Sequence, residues 1–449
     1  VNHSKRNSLS SFRWRDGLGF LALLLVFASQ PNPSQAADSS SESFTHTDLN
    51  TRLQYWTFDP VMVSNSGDQS ILLTVQANHS TPGAQLIFAD GSVKPLLNEG
   101  NGRFSMELSH NEALAGDYRQ YAGRNYIGEL DLFDGNMHPI WVNIDDGSIP
   151  ETAVTDLDES TRISPRIVNL LISHESPAQL DAKSITRRFF QTFPDEFDFI
   201  NVVSTQASPS APQFTNVKNT TEGLGLNLFD HTSDYGSSGR LEGVVQMTDF
   251  SRFDLASREY LRLLGYNWMN YSEHSVLIDA RPHWPISTLA SGIMGYHNQE
   301  SNSHGGFPYT FEYALVGFPP GTWEGDYMLR PILATPAYNS IERYLMGLIP
   351  ASGVNGYSVL ANQNQAVCAL CEVKGPLHYY GGDTLLSELG PRVPDASEAR
   401  KNFKTATVVV SGGRLLSPRE IRHFDYMAAR GEAGRELVSS RNDSALGFT

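Results

Sequence analysis

A change in apolar periodicity near residue 165 is the feature that most constrains how this chain can fold. Between residues 51 and 149, short apolar alternations are separated by turn signals such as Asp90-Gly91 and Asp134-Gly135. Residues 103–108, for example, alternate with period two. Because successive side chains of a strand point to opposite faces, this pattern predicts short strands with one buried face. Several such strands predict an antiparallel β-sandwich of immunoglobulin-like architecture over residues 51–149.

After Pro165, longer apolar segments alternate with a helical pattern. Residues 166–172 and 198–203 are candidates for buried strands, and residues 182–193 repeat apolar side chains at helical spacing. Alternation of this kind predicts an α/β domain over residues 165–350. The expected fold class is therefore multidomain α+β, in which an N-terminal antiparallel β-sandwich is followed by an α/β domain.

The C-terminal hundred residues carry two further predicted elements. Residues 404–410 are rich in Thr and Val, which predicts a strand. Residues 417–430 predict a helix, with Ser417 as the N-cap and Pro418 in the first turn. We expect residues 351–449 to be either the C-terminal part of the second domain or a small subdomain.

The N-terminal residues resemble an export signal. A basic segment with Lys5, Arg6, Arg13 and Arg15 precedes an apolar run at residues 18–28, and small residues follow at 34–36. The run is shorter than a bilayer-spanning helix. The sequence therefore predicts a signal peptide at residues 1–36, a secreted or periplasmic location and no transmembrane segment in the mature chain.

Two polar stretches are predicted linkers, and the overall charge limits the partners. Residues 37–50 are rich in Ser, and residues 150–164 are polar and acidic. The formal net charge of the chain is −16. Because like charges repel each other within a Debye length, nucleic acid and anionic membranes are not expected as partners. With 40% hydrophobic and only 18% charged residues, the chain has enough apolar side chains to fill large cores.

The chain contains two cysteines, Cys368 and Cys371, in the order Cys-Ala-Leu-Cys. Two thiols are too few for a four-cysteine zinc site. In an oxidising compartment they are candidates for a local disulfide, with two free thiols as the alternative. A redox pair would need the motif at the start of a helix, whereas residues 362–365 upstream have a loop composition.

A predicted helix at residues 254–271 carries the residues of greatest interest for function. Asp254 is its expected N-cap, and apolar residues recur at near-helical spacing. Arg258, Arg262 and Tyr266 are four residues apart and would share one face. If that face never carried a site, Glu259 and Arg262 would form an ordinary ion pair worth about 0.2–0.5 kcal/mol.

The surrounding segments resemble a group of secreted bacterial zinc-peptidase-like proteins of the zincin type. Gly265-Tyr266-Asn267-Trp268 is similar to the Gly-His-x-Trp end of that group's core helix. The resemblance extends over roughly residues 165–430 and also includes His283-Trp284-Pro285, the Met294 turn at residues 292–295, and the segments at 193–199, 235–243 and 338–348. It implies a zincin-like metallopeptidase fold for the second domain, in which the working helix carries H-E-x-x-H.

The positions that match H-E-x-x-H carry residues unsuited to zinc chemistry. Arg262 has no lone pair to offer a cation, and Leu263 stands where the general base would be. Tyr266 could bind a metal only as a phenolate, and the usual pKa of a tyrosine is about 10. His283 remains as a weak candidate ligand, whereas a catalytic zinc needs about three protein ligands. We therefore expect no zinc cofactor. A different site assembled from histidines is the open alternative, and its candidates are His274, His283, His297 and His304.

These observations favour a catalytically inactive homologue that binds a peptide, a protein or a glycan. The binding candidates are Arg258, Arg262, Tyr266 and His283, with Arg262 available for an anionic group. Two alternatives stay open. The chain could be an active secreted peptidase or other hydrolase that uses non-standard residues, or a structural or adhesive surface protein whose β-sandwich binds the partner.

Overall fold

The computed structural model describes most of the chain beyond residue 50. The described residues are 51–115, 117–121, 123–174, 176–269, 271, 285–288, 293–294, 310–316, 327–334, 338–365 and 372–432. The predicted signal peptide, the linker at 37–50, His283, Cys368 and Cys371 lie outside the described residues. Their predicted roles therefore remain predictions.

The first hundred described residues form ten strands and one short helix. The strands are β1 (Leu53–Asp59), β2 (Met62–Ser64), β3 (Ile71–Ala77), β4 (Gln85–Phe88), β5 (Val93–Pro95), β6 (Leu97–Gly100), β7 (Arg103–Leu108), β8 (Asp117–Tyr121), β9 (Arg124–Asp131) and β10 (Met137–Asp145), and the helix is α1 (His110–Leu114). One sheet has the order β1-β3-β7-β6, and the other has the order β2-β10-β9-β4-β5 with β8 also paired to β9. All pairs are antiparallel except β2 with β10.

These two sheets share one apolar core, as the period-two pattern predicts. Leu73 and Phe104 from the first sheet and Leu86 and Ile140 from the second are fully buried and belong to the same hydrophobic cluster. Burial does not alternate strictly along every strand, because residues 140–145 of β10 are all buried and this strand is therefore covered on both faces. Residues 51–149 therefore form two sheets that are antiparallel except for the pair of β2 with β10.

The rest of the described chain contributes fifteen strands and five helices. The strands are β11 (Thr155–Asp158), β12 (Thr161–Ile163), β13 (Ile167–Leu171), β14 (Phe199–Ser204), β15 (Gln206–Ala207), β16 (Gln213–Asn216), β17 (Lys218–Asn219), β18 (Phe229–Asp230), β19 (Gly243–Met247), β20 (Thr310–Val316), β21 (Tyr327–Ala334), β22 (Tyr357–Leu360), β23 (Val373–Gly375), β24 (Leu377–Tyr380) and β25 (Thr405–Ser411). The helices are α2 (Ala182–Thr192), α3 (Arg258–Leu264), α4 (Ser340–Leu345), α5 (Gly382–Leu389) and α6 (Pro418–Glu432). The chain is thus mixed α+β, with more strands than helices among its described residues.

A seven-stranded mixed sheet organises this part of the chain. Its order is β11-β12-β13-β25-β14-β19-β16, and the four strands β13, β25, β14 and β19 run parallel to one another. The strand β16 closes one edge antiparallel to β19. Strands β11 and β12 fall within residues 150–164, which the sequence analysis assigned to a linker. Strand β25 comes from the C-terminal hundred residues and occupies the centre of the sheet, so this segment completes the sheet.

Helices α2 and α6 lie where the sequence predicts them. The Asp181 carboxylate caps α2 by accepting hydrogen bonds from the backbone N–H groups of Lys183 and Ser184, at 3.2 and 3.1 Å. Ile185 and Phe189, four residues apart on α2, are buried in a cluster with residues of the parallel sheet. The predicted helix at 417–430 is α6, with Pro418 at its first position.

The C-terminal helix also ties the parallel sheet to the N-terminal sheets. The Glu420 carboxylate on α6 accepts a hydrogen bond of 2.9 Å from the Val61 backbone N–H. Arg419 forms an ion pair of 2.7 Å with Asp145 at the end of β10. In addition, β15 pairs with β1, with Ala207 opposite Trp56. The two parts of the chain are therefore joined by a strand pair, a buried hydrogen bond and a partly exposed ion pair.

Three small antiparallel sheets complete the described fold. They are β17-β18, β20-β21-β23 and β22-β24. No helix within the described residues has both the length and the apolar character needed to cross a bilayer.

Candidate functional site

Helix α3 is shorter than the sequence predicts, and it begins at a different N-cap. The Ser257 hydroxyl accepts a hydrogen bond of 3.1 Å from the Tyr260 backbone N–H, which satisfies one of the free donors of the first turn. The α-helix ends at Leu264, and a 3₁₀ turn follows at Gly265–Asn267. The predicted helix at 254–271 with Asp254 as N-cap is therefore wrong at both ends. Asp254 lies before the helix because its carboxylate forms a buried ion pair with another segment.

The side of α3 that carries Leu263 faces the protein core. Leu263 is 3% exposed and belongs to the main hydrophobic cluster. Tyr260, on the same side, is fully buried, and its hydroxyl donates a hydrogen bond of 2.9 Å to Asn201 Oδ1 on β14. Burial raises the pKa of the Tyr260 hydroxyl far above its usual value of about 10. This side of the helix is a packing surface with no group that could take a proton from water.

The predicted binding face carries Arg262 and Tyr266, and both are half-buried. Arg258 and Arg262 are both in α3, so the α-helical spacing of four residues places them on one face. Tyr266 lies in the 3₁₀ turn, so that spacing does not extend to it. The expected ion pair between Glu259 and Arg262 is also wrong, since Glu259 pairs with Arg252 at 2.7 Å. Among the described residues, no acidic side chain forms an ion pair with Arg262. Burial raises the pKa of the Tyr266 hydroxyl, which moves it further from the phenolate form.

Two segments of the resemblance pack around α3. Met294 is fully buried, and a Cβ added at Gly265 would overlap Met294 Sδ. Glycine at this position thus allows the methionine side chain to lie directly against the end of the helix. The Tyr338 hydroxyl donates a hydrogen bond of 3.1 Å to the Leu261 carbonyl oxygen. The Met-containing turn and the 338–348 segment therefore both contact the helix that the sequence analysis singled out.

The described part of the chain contains no metal-binding group. No set of three or more His, Cys, Asp or Glu side chains within it is arranged to hold a metal ion. His283, His274, His297 and His304 are outside the described residues. The expectation about zinc therefore rests on the chemistry of Arg262, Leu263 and Tyr266.

A polar cavity lies at the C-terminal end of α3, and the sequence analysis did not identify it. Its volume is about 280 Å³, and its wall includes Asn267 and Trp268, the two residues that follow Tyr266. Four cationic side chains line the cavity, contributed by distant parts of the chain: Lys218, Arg240, Arg392 and Arg400. Glu242 is the acidic side chain in the lining.

A buried carboxylate behind the cavity positions two of these cations. Asp198 is fully buried immediately before β14. It forms ion pairs of 2.6 Å with Arg240 and 2.7 Å with Arg400, and it accepts a hydrogen bond of 2.7 Å from the Lys404 backbone N–H. Charge-assisted bonds of this kind fix the planar guanidinium groups in place. Arg400 also lies 4.4 Å above the ring of Phe403, which restricts it further.

Glu242 is held beside these cations and has a perturbed pKa. Its carboxylate pairs with Arg400, and the Asn267 side-chain amide donates a hydrogen bond of 3.4 Å to it. Burial raises the pKa of Glu242 to about 7, while Arg400 opposes the shift and the nearby charge of Asp198 adds to it. Glu242 therefore binds a proton more readily than an ordinary glutamate does.

Arg392 differs from the other three cations because it is buried and forms no ion pair within the described residues, although the charge of Asp395 acts on it. It is 6% exposed, and its Nε donates a hydrogen bond of 2.8 Å to the Leu345 carbonyl oxygen. A second donor, Nη1, contacts the Pro394 carbonyl oxygen. Within the described residues no carboxylate forms an ion pair with it, and burial lowers the pKa of Arg392 to about 10. Gly347, whose φ is +73°, leaves room for the Arg392 side chain. A Cβ at position 347 would lie only 2.8 Å from the guanidinium carbon of Arg392.

The cavity combines residues that no local sequence pattern connects. The Gly-rich stretch at 235–243 supplies Arg240 and Glu242, but it fits no known phosphate-binding motif, and the sequence indicates only a turn. Arg392 and Arg400 come from the C-terminal hundred residues, to which no function was assigned. Only the sheet order, with β25 beside β14 and β19 beyond it, brings these segments together.

No protein-family model, no curated protein and no solved structure matches this chain.

Proposed function

We propose that this chain is an exported zincin-like protein that does not hydrolyse peptides and acts by binding a ligand. Two contacts support the zincin-like part of the proposal. Met294 packs against Gly265, and Tyr338 donates to the Leu261 carbonyl oxygen. The N-terminal antiparallel sheets fit an immunoglobulin-like β-sandwich that precedes this domain. The ligand would be a peptide, a protein or a glycan.

The environment of Leu263 is the main support for the proposal that the protein does not hydrolyse peptides. It occupies the general-base position, it is 3% exposed, and it packs in the apolar core. A hydrocarbon cannot activate a water molecule, and the neighbouring Arg262 repels a divalent cation. The chain therefore keeps the frame of an active-site helix and lacks the groups that would perform the reaction.

The test is the zinc content and activity of the purified protein. We expect far less than one zinc ion per chain by elemental mass spectrometry, and no cleavage of a broad peptide library. A tightly held stoichiometric zinc ion would contradict the proposal. As a matched variant, Arg262→His with Tyr266→His places two imidazoles at these positions and leaves the core residue Leu263 unchanged. We expect this variant to take up more zinc than the unmutated protein.

A second candidate function is hydrolysis by non-standard residues, and the raised pKa of Glu242 favours it. A carboxyl group with a pKa of about 7 in a cavity is suited to general acid–base catalysis. Panels of peptide and glycoside substrates test this candidate. Turnover that is abolished by Glu242→Gln in a folded variant would establish it, and absence of turnover would leave the binding function.

Export is tested separately with residues 1–36. These residues are fused to a reporter enzyme that is active only outside the bacterial cytoplasm. We expect reporter activity and a mature N-terminus at Ala37. Replacement of the basic residues Arg13 and Arg15 by Glu should reduce export. A full-length fusion retained in the cytoplasm would contradict the proposed secreted or periplasmic location.

A further inference from the structure

We propose that the cavity at the end of α3 binds the carboxylate group of a ligand, with Arg392 and Lys218 as its charged donors. The inference rests on the proposed binding function, and it names the chemistry that the ligand must present. The carboxylate could belong to a small organic acid or to the C-terminus of a peptide, and the two sources are separated experimentally below.

The first argument is that Arg392 is buried and forms no ion pair within the described residues. Burying a cation is costly, because transfer from water removes solvation that must be replaced. Two of its nitrogens donate to the carbonyl oxygens of Leu345 and Pro394, which neutralise no charge. Asp395 acts on Arg392 through its charge but forms no ion pair with it. Because Arg392 lines the cavity, a ligand carboxylate would supply a direct counter-ion.

The second argument is the spare hydrogen-bonding capacity of Lys218. An ammonium group has three N–H donors. One donates to the Gly239 carbonyl oxygen at 2.7 Å, and Asp230 lies 3.6 Å away. At least one donor is therefore left for a ligand. By contrast, Arg240 and Arg400 are held by Asp198, so they contribute positive charge and form the wall of the cavity.

The charge and size of the cavity favour a carboxylate over a phosphate. Glu242 already places an acidic group in the lining, and its repulsion of a dianion would be about twice its repulsion of a monoanion. The volume of about 280 Å³ is at the lower end of small-molecule sites. Trp268 and Phe403, whose rings are 5.7 Å apart, give the cavity an apolar side. This combination suits a carboxylate with a short organic group attached.

The experiment measures binding to the mature full-length protein by isothermal titration calorimetry at low ionic strength. The probes are N-acetyl-trialanine with a free C-terminal acid, the same peptide as its C-terminal amide, butyrate and inorganic phosphate. We expect the acid peptide to bind and the amide to bind at least tenfold more weakly. Butyrate binding equal to that of the acid peptide assigns the site to small acids, and weaker butyrate binding assigns it to peptide C-termini. Binding of phosphate alone, or of no probe, would overturn the proposal.

Matched variants assign the binding to this cavity. Lys218→Met removes the ammonium and is expected to weaken the preferred carboxylate about tenfold. Lys94→Met is the control, because Lys94 carries the same charge and its ammonium pairs with Glu112 among the N-terminal strands. Arg392→Lys keeps the buried charge and removes the guanidinium fork, so it should also weaken binding. Equal affinities for the Lys218→Met and Lys94→Met variants would refute the assignment.

The outcome is independent of the test of the proposed function. Zinc content and peptidase activity are measured on the same preparation. Stoichiometric zinc with carboxylate binding that depends on Lys218 would refute the proposed function and leave this inference standing. Absence of zinc with no carboxylate binding would refute the inference and leave the inactive zincin-like protein as the conclusion.

Discussion

Replacing Asp254 by Asn is expected to lower the free energy of unfolding by about 3–5 kcal/mol. Asp254 Oδ2 lies 2.7 Å from Arg430 Nη1, and the two residues are 8% and 4% exposed. Arg430 Nε and Nη2 are buried and have no other hydrogen-bond partner. The amide of Asn is nearly isosteric with the carboxylate, so the substitution removes the charge and leaves the Arg430 cation buried without compensation. The ion pair connects α6 to the segment just before α3, since Asp254 lies three residues before the N-cap Ser257.

Glu196→Gln provides the matched control for this prediction. It also removes one carboxylate from an ion pair, with Lys404 at 2.5 Å, but the two side chains are 49% and 58% exposed. Solvent screening limits such a pair to about 0–1 kcal/mol. Urea unfolding followed by circular dichroism and by tryptophan fluorescence gives both free energies. The double variant Asp254→Asn with Arg430→Met should recover part of the loss, because it no longer buries an unpaired charge.

A loss for Asp254→Asn no larger than that for Glu196→Gln would refute the reasoning. It would mean that water or another group reaches Arg430 and compensates its charge. A large loss that Arg430→Met does not reduce would also refute the reasoning, because the effect would then not arise from an unpaired Arg430 charge. Asn keeps an oxygen that can accept the hydrogen bond of 3.0 Å from the Ala256 backbone N–H, so that contact is preserved in the variant.

Four further predictions concern the helix, the C-terminal core and the cavity. Ser257→Ala should destabilise the protein by about 1 kcal/mol in urea unfolding, and no effect would contradict its role as the N-cap of α3. Gly265→Ala should cost about 1–3 kcal/mol through overlap with Met294, and a double-mutant cycle with Met294→Ala should show coupling between the two sites. Burial lowers the pKa of His423 to about 4, so its contribution to stability is present above pH 6.5 and is lost as the pH falls towards 4. His423→Gln should therefore flatten the dependence of stability on pH in that window. Finally, protonation of Glu242 below its pKa of about 7 removes a negative charge from the cavity, so carboxylate binding should strengthen from pH 8 to pH 6, and Glu242→Gln should remove that dependence.

Local patterns in the sequence predicted the individual elements well. Strand β7 has the bounds that its alternation indicates, and α2 and α6 lie where apolar spacing and capping residues predict helices. These patterns succeed because they reflect side-chain direction within one element, and neighbouring residues determine that direction. The mixed α+β class follows from the same evidence.

The errors around α3 have a long-range cause. Asp254 is a good N-cap by residue type, but an ion pair with Arg430, 176 residues away, holds its carboxylate before the helix. The helix also ends early, at the position where Met294 packs against Gly265. Local sequence contains no record of either partner. Helix boundaries that depend on distant contacts are therefore the least predictable part of this region.

The sequence by itself determined the periodicity of the strands and helices and the absence of zinc-binding groups at Arg262, Leu263 and Tyr266, because these properties belong to residue types and their spacing. Only the tertiary structure decided that β25 enters the centre of the parallel sheet and that Lys218, Arg240, Arg392 and Arg400 meet around one cavity. The physical reason is that a binding site depends on which distant side chains become neighbours. Sheet order and core packing set those neighbours after the local elements have formed.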